Sequence, residues 1–174
     1  FVKGRKNDML GVITFSNSAM YVLPLTENKE AVLSAIQATA GNSLYQTNIG
    51  GGLTSSVELF KDMPDSGSRV IILISDGAGL VSDMVQQKLR DWLQRYNIGL
   101  YWIVLRQPGG TTIFDPKYTA SGYDGHMPSE VLLYQYFQTL RSPFSAYEAS
   151  DPKSLEAAVA DINSKEKKPI QYQE

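Results

Sequence analysis

The chain has 174 residues, a net charge of -2 and a sequence pI of about 5.5, which predicts one soluble domain spanning residues 1–174. This charge balance argues against a nucleic-acid-binding surface, and the one basic cluster (Lys165, Lys167, Lys168) is interrupted by Glu166. The lack of cysteine excludes disulfides and zinc–thiolate sites, and no apolar run reaches the roughly 18 residues of a transmembrane helix.

The first half of the chain predicts two strands and two helices. Residues 9–15 form an apolar run without alternation, which is typical of a parallel strand that is buried on both faces. Residues 19–25 predict an edge strand, because Pro24 cannot donate to a ladder, and it follows residues 9–15 as a hairpin. The two helices have apolar stripes at Val32, Leu33, Ile36 and Ala40, and at Ile49, Leu53, Val57 and Phe60.

The second half repeats the alternation of strand and helix. Residues 70–74 and 100–105 predict two more buried parallel strands. A long loop at 106–128 is rich in glycine and proline and shows no periodicity. Asp151 caps a last helix that has Pro152 at its first position and an inward face of Leu155, Val159 and Ile162. Between the strands at 70–74 and 100–105 lies a further predicted helix, which has its apolar stripe at Val85, Leu89, Trp92, Leu93 and Tyr96.

This order of elements predicts an α/β fold with a doubly wound, mostly parallel, Rossmann-like sheet. Ligands of such sheets bind outside the carboxyl ends of the strands. Asp76 follows the strand at 70–74 directly, and Thr47 and Asn48 stand before a helix whose first amides need acceptors. Oxygen ligands on loops suit a hard cation such as Mg²⁺, especially where a position is left for a partner's carboxylate.

Structural interpretations of the same residues compete with this one. Thr47 or Asn48 can cap the helix, and Asp76 with Gly77 is a common turn pair. The glycine run at 50–52 lacks the lysine of a phosphate-binding loop, which favours close helix packing. His126, the only histidine, has no catalytic arrangement around it and is expected on a surface loop.

Taken in order, these segments resemble the von Willebrand factor A family. The resemblance is carried by Leu10-Gly11-Val12-Ile13-Thr14-Phe15-Ser16, by Thr47-Asn48-Ile49-Gly50-Gly51-Gly52-Leu53 and by Val70-Ile71-Ile72-Leu73-Ile74-Ser75-Asp76-Gly77. It implies a metal-ion-dependent adhesion site for Mg²⁺, Mn²⁺ or Ca²⁺. In that site Thr47 is a direct ligand, Asp76 acts through water, and Asn48, Ser75 and Gly77 lie where a partner binds.

The family's Asp-x-Ser-x-Ser loop and the first strand that carries it are not found in the sequence. We therefore expect weak or no metal binding by this chain. The strands at 9–15 and 70–74 are expected to face an empty position, which a rearranged sheet, a swapped homodimer or an upstream segment would fill.

Within the family the chain is similar to bacterial BatA-type and MxaC-type proteins, on the basis of segments 101–106, 142–149 and 169–174. The similarity implies a soluble part of a membrane-anchored protein at the periplasmic face of the inner membrane. It also implies a non-enzymatic role in the assembly or maturation of envelope complexes, with a MoxR-type ATPase and sister A-domain proteins as partners.

Two alternatives remain open. Asp76 could accept a phosphoryl group, or act with a metal, in an enzyme of flavodoxin-like fold, although no acidic pair or matching lysine accompanies it. The chain could also be a structural A domain with a vestigial metal site.

Overall fold

The structure is a computed structural model that describes residues 1–5, 7–39, 47–64, 67–107, 112–114 and 127–166. After a short 3₁₀ helix at Val2–Gly4, the elements in chain order are β1 (Leu10–Phe15), β2 (Ala19–Thr26), α1 (Lys29–Thr39), α2 (Ile49–Glu58), β3 (Arg69–Ser75), α3 (Asp83–Arg95), β4 (Ile98–Leu105), α4 (Ser129–Gln138), β5 (Phe144–Ala149) and α5 (Pro152–Lys165). The α/β fold predicted from the sequence is confirmed.

The strands form two separate sheets. β3, β4 and β5 form a parallel sheet in that order, in which Ile74 lies opposite Ile103 and Ile103 opposite Tyr147. β1 and β2 form an antiparallel hairpin, as the sequence predicted. The prediction of a parallel strand at residues 9–15 is wrong, because the short turn at 16–18 allows only an antiparallel partner to follow.

Among the described strands, β1 and β3 do not pair with each other. The two sheets are nevertheless held in one body, because α2 packs against both β1 and β3. At the N-terminus, the Arg5 guanidinium donates to Oδ1 of Asn163 at 3.3 Å and to the carbonyl oxygen of Glu166 at 3.4 Å. The separation of β1 from β3 is the arrangement expected from the sequence.

The larger core lies between the parallel sheet and helices α2, α3 and α4. The stripe predicted for α2 is confirmed at its first three positions, and Leu89 and Leu93 of α3 are also fully buried. Trp102 fills the centre and meets the Phe137 ring edge-on at 5.3 Å. A smaller cluster on the opposite face packs Ile103 and Ala149 against Ala158 and Ile162 of α5.

Helix α1 differs from the prediction. Val32 and Ala35 are its buried residues, whereas Ile36 is 45% exposed. The inward stripe therefore runs through positions three apart and excludes Ile36. Ala40 lies outside the described residues.

Helix α5 begins as predicted. Oδ1 of Asp151 accepts from the Ser154 amide at 2.8 Å, and Oγ of Ser154 accepts from the Asp151 amide at 3.2 Å. This reciprocal capping box satisfies two donors that the helix itself cannot pair.

The region of the predicted long loop lies between β4 and α4. Residues 108–111 and 115–126, which include His126, fall outside the described part of the chain. Helix α4 and strand β5 follow, and neither was assigned from the sequence. Within the described residues, no helix combines the length and the apolar character that crossing a membrane requires.

Candidate binding site at the rim of the sheet

Two loops meet at the carboxyl end of β3, and they carry the two predicted metal ligands. A Cβ placed on Gly79 would lie 2.5 Å from the carbonyl oxygen of Thr47 and 3.6 Å from the Cβ of Thr47. Gly79 has a φ of +115°, a backbone conformation that residues with a side chain rarely adopt. The segments 47–48 and 76–80 are therefore in contact, and we call them together the rim.

Asn48 begins α2 and joins the rim to a third segment. Its Oδ1 accepts from the Gly51 amide at 2.7 Å, so the interpretation of Asn48 as a helix cap is confirmed. Its backbone amide donates to the carbonyl oxygen of Ser16 at 2.6 Å, and Nδ2 donates to that of Asn17 at 3.3 Å. The contact of Asn48 with the turn at 16–18 was not predicted, although the place of this turn directly after a predicted strand pointed to it.

Asp76 is exposed and shapes the turn that follows β3. Its Oδ1 accepts from the Ala78 amide at 3.0 Å, and Gly77 has a φ of +81°. The interpretation of this pair as a turn is therefore confirmed. A metal-binding role for the same carboxylate stays a prediction.

Ser75 directly precedes the rim segment 76–80 and Gly77 lies within it, and both residues are buried. The hydroxyl of Ser75, a residue that is 7% exposed, accepts from Nε1 of Trp102 at 3.0 Å. A Cβ on Gly77 would come within 2.5 Å of Cβ of Glu130, and the carbonyl oxygen of Gly77 accepts from Oγ of Ser129 at 3.2 Å. This burial indicates that the two residues support the loop, and their role in partner binding stays a prediction. Asn48 remains exposed at the surface.

The glycines at the start of α2 provide close packing, as predicted. A Cβ on Gly50 would lie 3.3 Å from Val81 and 3.1 Å from Val85, and one on Gly52 would lie 2.7 Å from the ring of Phe15. These glycines allow α2 to approach both β1 and α3, which fixes the position of Thr47 at the helix entrance.

The side chains of Thr47 and Asp76 offer one hydroxyl and one carboxylate, which are the hard donors that Mg²⁺ prefers. In the described part of the chain, no group of three or more His, Cys, Asp or Glu residues could hold a metal ion. A magnesium site at the rim therefore stays a prediction, and tight binding there would require further oxygen ligands from another segment or molecule.

A charged pair lies at the carboxyl ends of β4 and β5 and was not recognised from the sequence. Nη1 of Arg106 donates to Oε2 of Glu148 at 2.6 Å in a partly buried ion pair. Oε1 of Glu148 accepts from the Ile113 amide at 2.7 Å and from the Thr112 hydroxyl at 3.0 Å. Glu148 thereby anchors segment 112–114 to β5.

Comparisons with known proteins agree with the α/β fold. Residues 1–78 match the family model described as von Willebrand factor type A domain, and no curated protein matches the chain significantly. A solved aerotolerance-related membrane protein from Bacteroides fragilis is similar, with a TM-score of 0.63 and 19% identity over 94% of this chain and 83% of that chain. The BatB protein from Bacteroides thetaiotaomicron gives a TM-score of 0.62 and 17% identity with the same coverage.

A more distant likeness is to a mutant of the PilB minor pilin from Streptococcus sanguinis. Its TM-score is 0.56 at 12% identity, over 90% of this chain and 48% of that chain. At such identities, structural likeness shows the fold and leaves the activity to be argued from the site.

Proposed function

We propose that this chain, a von Willebrand factor A-type domain with a Bat-like fold, is a non-enzymatic protein-interaction module that binds its partner at the rim. The contact between Gly79 and Thr47 is the observation that carries the proposal. It brings the loops that carry Thr47, Asn48 and Asp76 into contact at the carboxyl end of β3, where open α/β sheets bind ligands.

In this proposal a divalent cation joins the domain to its partner. Thr47 and Asp76 supply oxygen ligands for Mg²⁺, or for Mn²⁺ or Ca²⁺ in its place, and an acidic side chain of the partner supplies another. The chain alone binds the cation weakly, with a dissociation constant on the order of a millimolar, because it provides few of the ligands.

We further propose that the domain belongs to a bacterial membrane-anchored protein and acts at the periplasmic face of the inner membrane. The similar protein from Bacteroides fragilis is itself described as a membrane protein, which supports this placement. Partners in keeping with such a role are a MoxR-type ATPase and sister A-domain proteins, in the assembly or maturation of envelope complexes.

Manganese titration of the ¹⁵N-labelled chain, followed by NMR, tests the metal site. Paramagnetic broadening should centre on the amides of residues 47–48 and 76–80 and should be lost in Asp76→Asn. Asp83→Asn is the matched control, because Asp83 is another exposed carboxylate, at the start of α3. Broadening that persists in Asp76→Asn, or that centres away from the rim, would refute the proposed site.

An enzyme that uses Asp76 as a phosphoryl acceptor would be labelled by a phosphoryl donor, whereas a binding module would not. Incubation with acetyl phosphate and Mg²⁺ should leave the chain unlabelled according to intact-mass measurement. Stoichiometric labelling that Asp76→Asn abolishes would instead make Asp76 a phosphoryl acceptor.

A further inference from the structure

The outer side of β5 carries a groove that the proposed rim site does not use. β5 pairs with β4 along one edge, and no described strand pairs with its other edge. The groove has a volume of about 580 Å³ and is lined by both faces of the strand, with Phe144 and Ala146 on one face and Ser145 and Tyr147 on the other. A cavity that is lined by residues from both faces of a strand must extend across the edge of that strand.

The hydrogen bonds to β4 show which backbone groups of β5 point away from β4. The carbonyl oxygens of Pro143 and Ala149 accept from the amides of Leu100 and Arg106, at 2.9 and 2.8 Å. Alternate residues of a strand direct their backbone groups to the same side. Residues 145 and 147 therefore also face β4, and residues 144, 146 and 148 direct N–H and C=O groups toward the groove.

The walls of the groove differ in chemistry. On the α4 side they are aromatic, formed by Phe114, Tyr134 and Phe137. On the α5 side the wall includes Lys165, whose side chain is 47% exposed and which is the one charged residue lining the groove within the described chain. Its ammonium group pairs with Asp161 at 2.8 Å and donates to the Tyr147 hydroxyl at 2.9 Å. An exposed pair of this kind is weak, so a partner's carboxylate can share the Lys165 ammonium group. An occupant that fits both walls presents apolar side chains to the aromatic wall and acidic side chains to the other.

Ser142 provides an independent sign of a missing partner. It lines the groove, is 9% exposed, and its hydroxyl has no hydrogen-bond partner among the described residues. A buried hydroxyl without a partner destabilises the folded chain, and a polar backbone group placed in the groove can remove that penalty.

We propose that the free edge of β5 is a docking site for an extended, alternately apolar and acidic segment of a partner protein, which adds to the sheet as a strand. Backbone hydrogen bonds to residues 144 and 146 supply affinity, and the two walls select the side chains. The edge is unprotected in the ways that natural sheets commonly use, because β5 has no proline, no lysine and a continuous register with β4.

Hydrogen exchange with a defined probe tests this site. The probe is an acetylated, amidated hexapeptide of alternating valine and glutamate. At a concentration about ten times its dissociation constant, it should slow exchange of the Ala146 amide about tenfold. The Tyr147 amide faces β4, so its exchange should not change, and it serves as the internal control.

Two altered peptides and two variants sharpen the result. A valine–lysine peptide and an N-methylated valine–glutamate peptide should both bind more weakly. Ala146→Pro should abolish binding while the fold persists, because proline is tolerated where the N–H of an edge strand points outward. Ser142→Ala should keep or raise stability but weaken peptide binding. Near-ultraviolet circular dichroism of Ala146→Pro verifies the fold.

Several outcomes would overturn the proposal: no protection of Ala146 at saturation, equal binding of the lysine peptide, or full binding to Ala146→Pro. Protection of Ala146 that rises with protein concentration without peptide would assign the edge to a second copy of the chain, which also overturns it. Peptide binding should persist in Asp76→Asn without added metal, so the rim and β5 sites can fail independently.

Discussion

Gly79 lies against the backbone of Thr47 so closely that a Cβ on the glycine would be 2.5 Å from the threonine carbonyl oxygen. This contact joins the loop after β3 to the entrance of α2. It therefore makes Gly79 a determinant of how the loops that carry the two proposed metal ligands pack together.

We expect Gly79→Ala to separate the two loops. Gly67→Ala is a matched control, because Gly67 also has a positive φ, of +82°, but has nothing within 4 Å of its Cβ position. The control should lose about 1–2 kcal/mol through backbone strain alone, and Gly79→Ala should lose about 1–3 kcal/mol more through the collision. Urea unfolding measures both losses, and equal losses would contradict the contact. Manganese broadening at Thr47 should disappear in Gly79→Ala and persist in Gly67→Ala.

The contributions of Trp102 and Ser75 to stability should be coupled through the hydrogen bond between them. Ser75→Ala leaves the buried indole N–H without its acceptor, at a cost of about 1–3 kcal/mol. Trp102→Phe removes the donor and some packing. The double variant should therefore lose less than the sum of the single variants, with a coupling of about 0.5–3 kcal/mol by urea unfolding. Additive losses would show that the bond contributes nothing to stability.

The sequence predicted the elements whose causes are local. The cap of α5 needs only Asp151 and the residues just after it, and the buried stripe of α2 follows from helical spacing. The hairpin of β1 and β2 depends on a short turn between two apolar runs. In each case the signal lies within a few residues of the structure that it produces.

The failures concern relationships between distant segments. The hydrogen bond that Ser75 accepts from Trp102 was not predicted, because Trp102 lies on the neighbouring strand, 27 positions away in sequence. Strand β5 has the mixed sequence FSAYEA and is partly buried on both faces, so neither alternation nor a continuous apolar run marks it. The residues that pack on its two faces come from the tertiary fold, which local patterns do not encode.

The effect of Gly52→Ala on stability should change sign when the ring of Phe15 is removed. The ring and Cβ of Phe15 lie 2.7–3.2 Å from the position that a Cβ on Gly52 would take, so Gly52→Ala should destabilise the chain. In a Phe15→Ala background the same change should stabilise by about 1 kcal/mol, because alanine favours the interior of a helix. Thermal or urea unfolding of the four proteins measures this cycle, and the same sign in both backgrounds would refute the packing argument.

Alkaline pH should destabilise the chain partly through Tyr136. Burial raises the pKa of Tyr136 from 10.0 to about 12, opposed by the nearby charge of Arg90. The unfolded chain therefore releases this proton at lower pH than the folded chain. The stability that the neutral phenol contributes is complete below about pH 10 and is lost as the pH rises toward about 12.

The variant Tyr136→Phe isolates this effect. At neutral pH it should lose about 1 kcal/mol, because the Tyr136 hydroxyl donates to the carbonyl oxygen of Gln86 at 3.0 Å. Between about pH 8 and pH 11, the wild-type chain should lose about 1.4 kcal/mol more than the variant. Burial also raises the pKa of Tyr101 and Tyr147, so both proteins weaken with rising pH, and their difference reports Tyr136. Parallel pH profiles in urea unfolding would mean that Tyr136 ionises as it does in the unfolded chain.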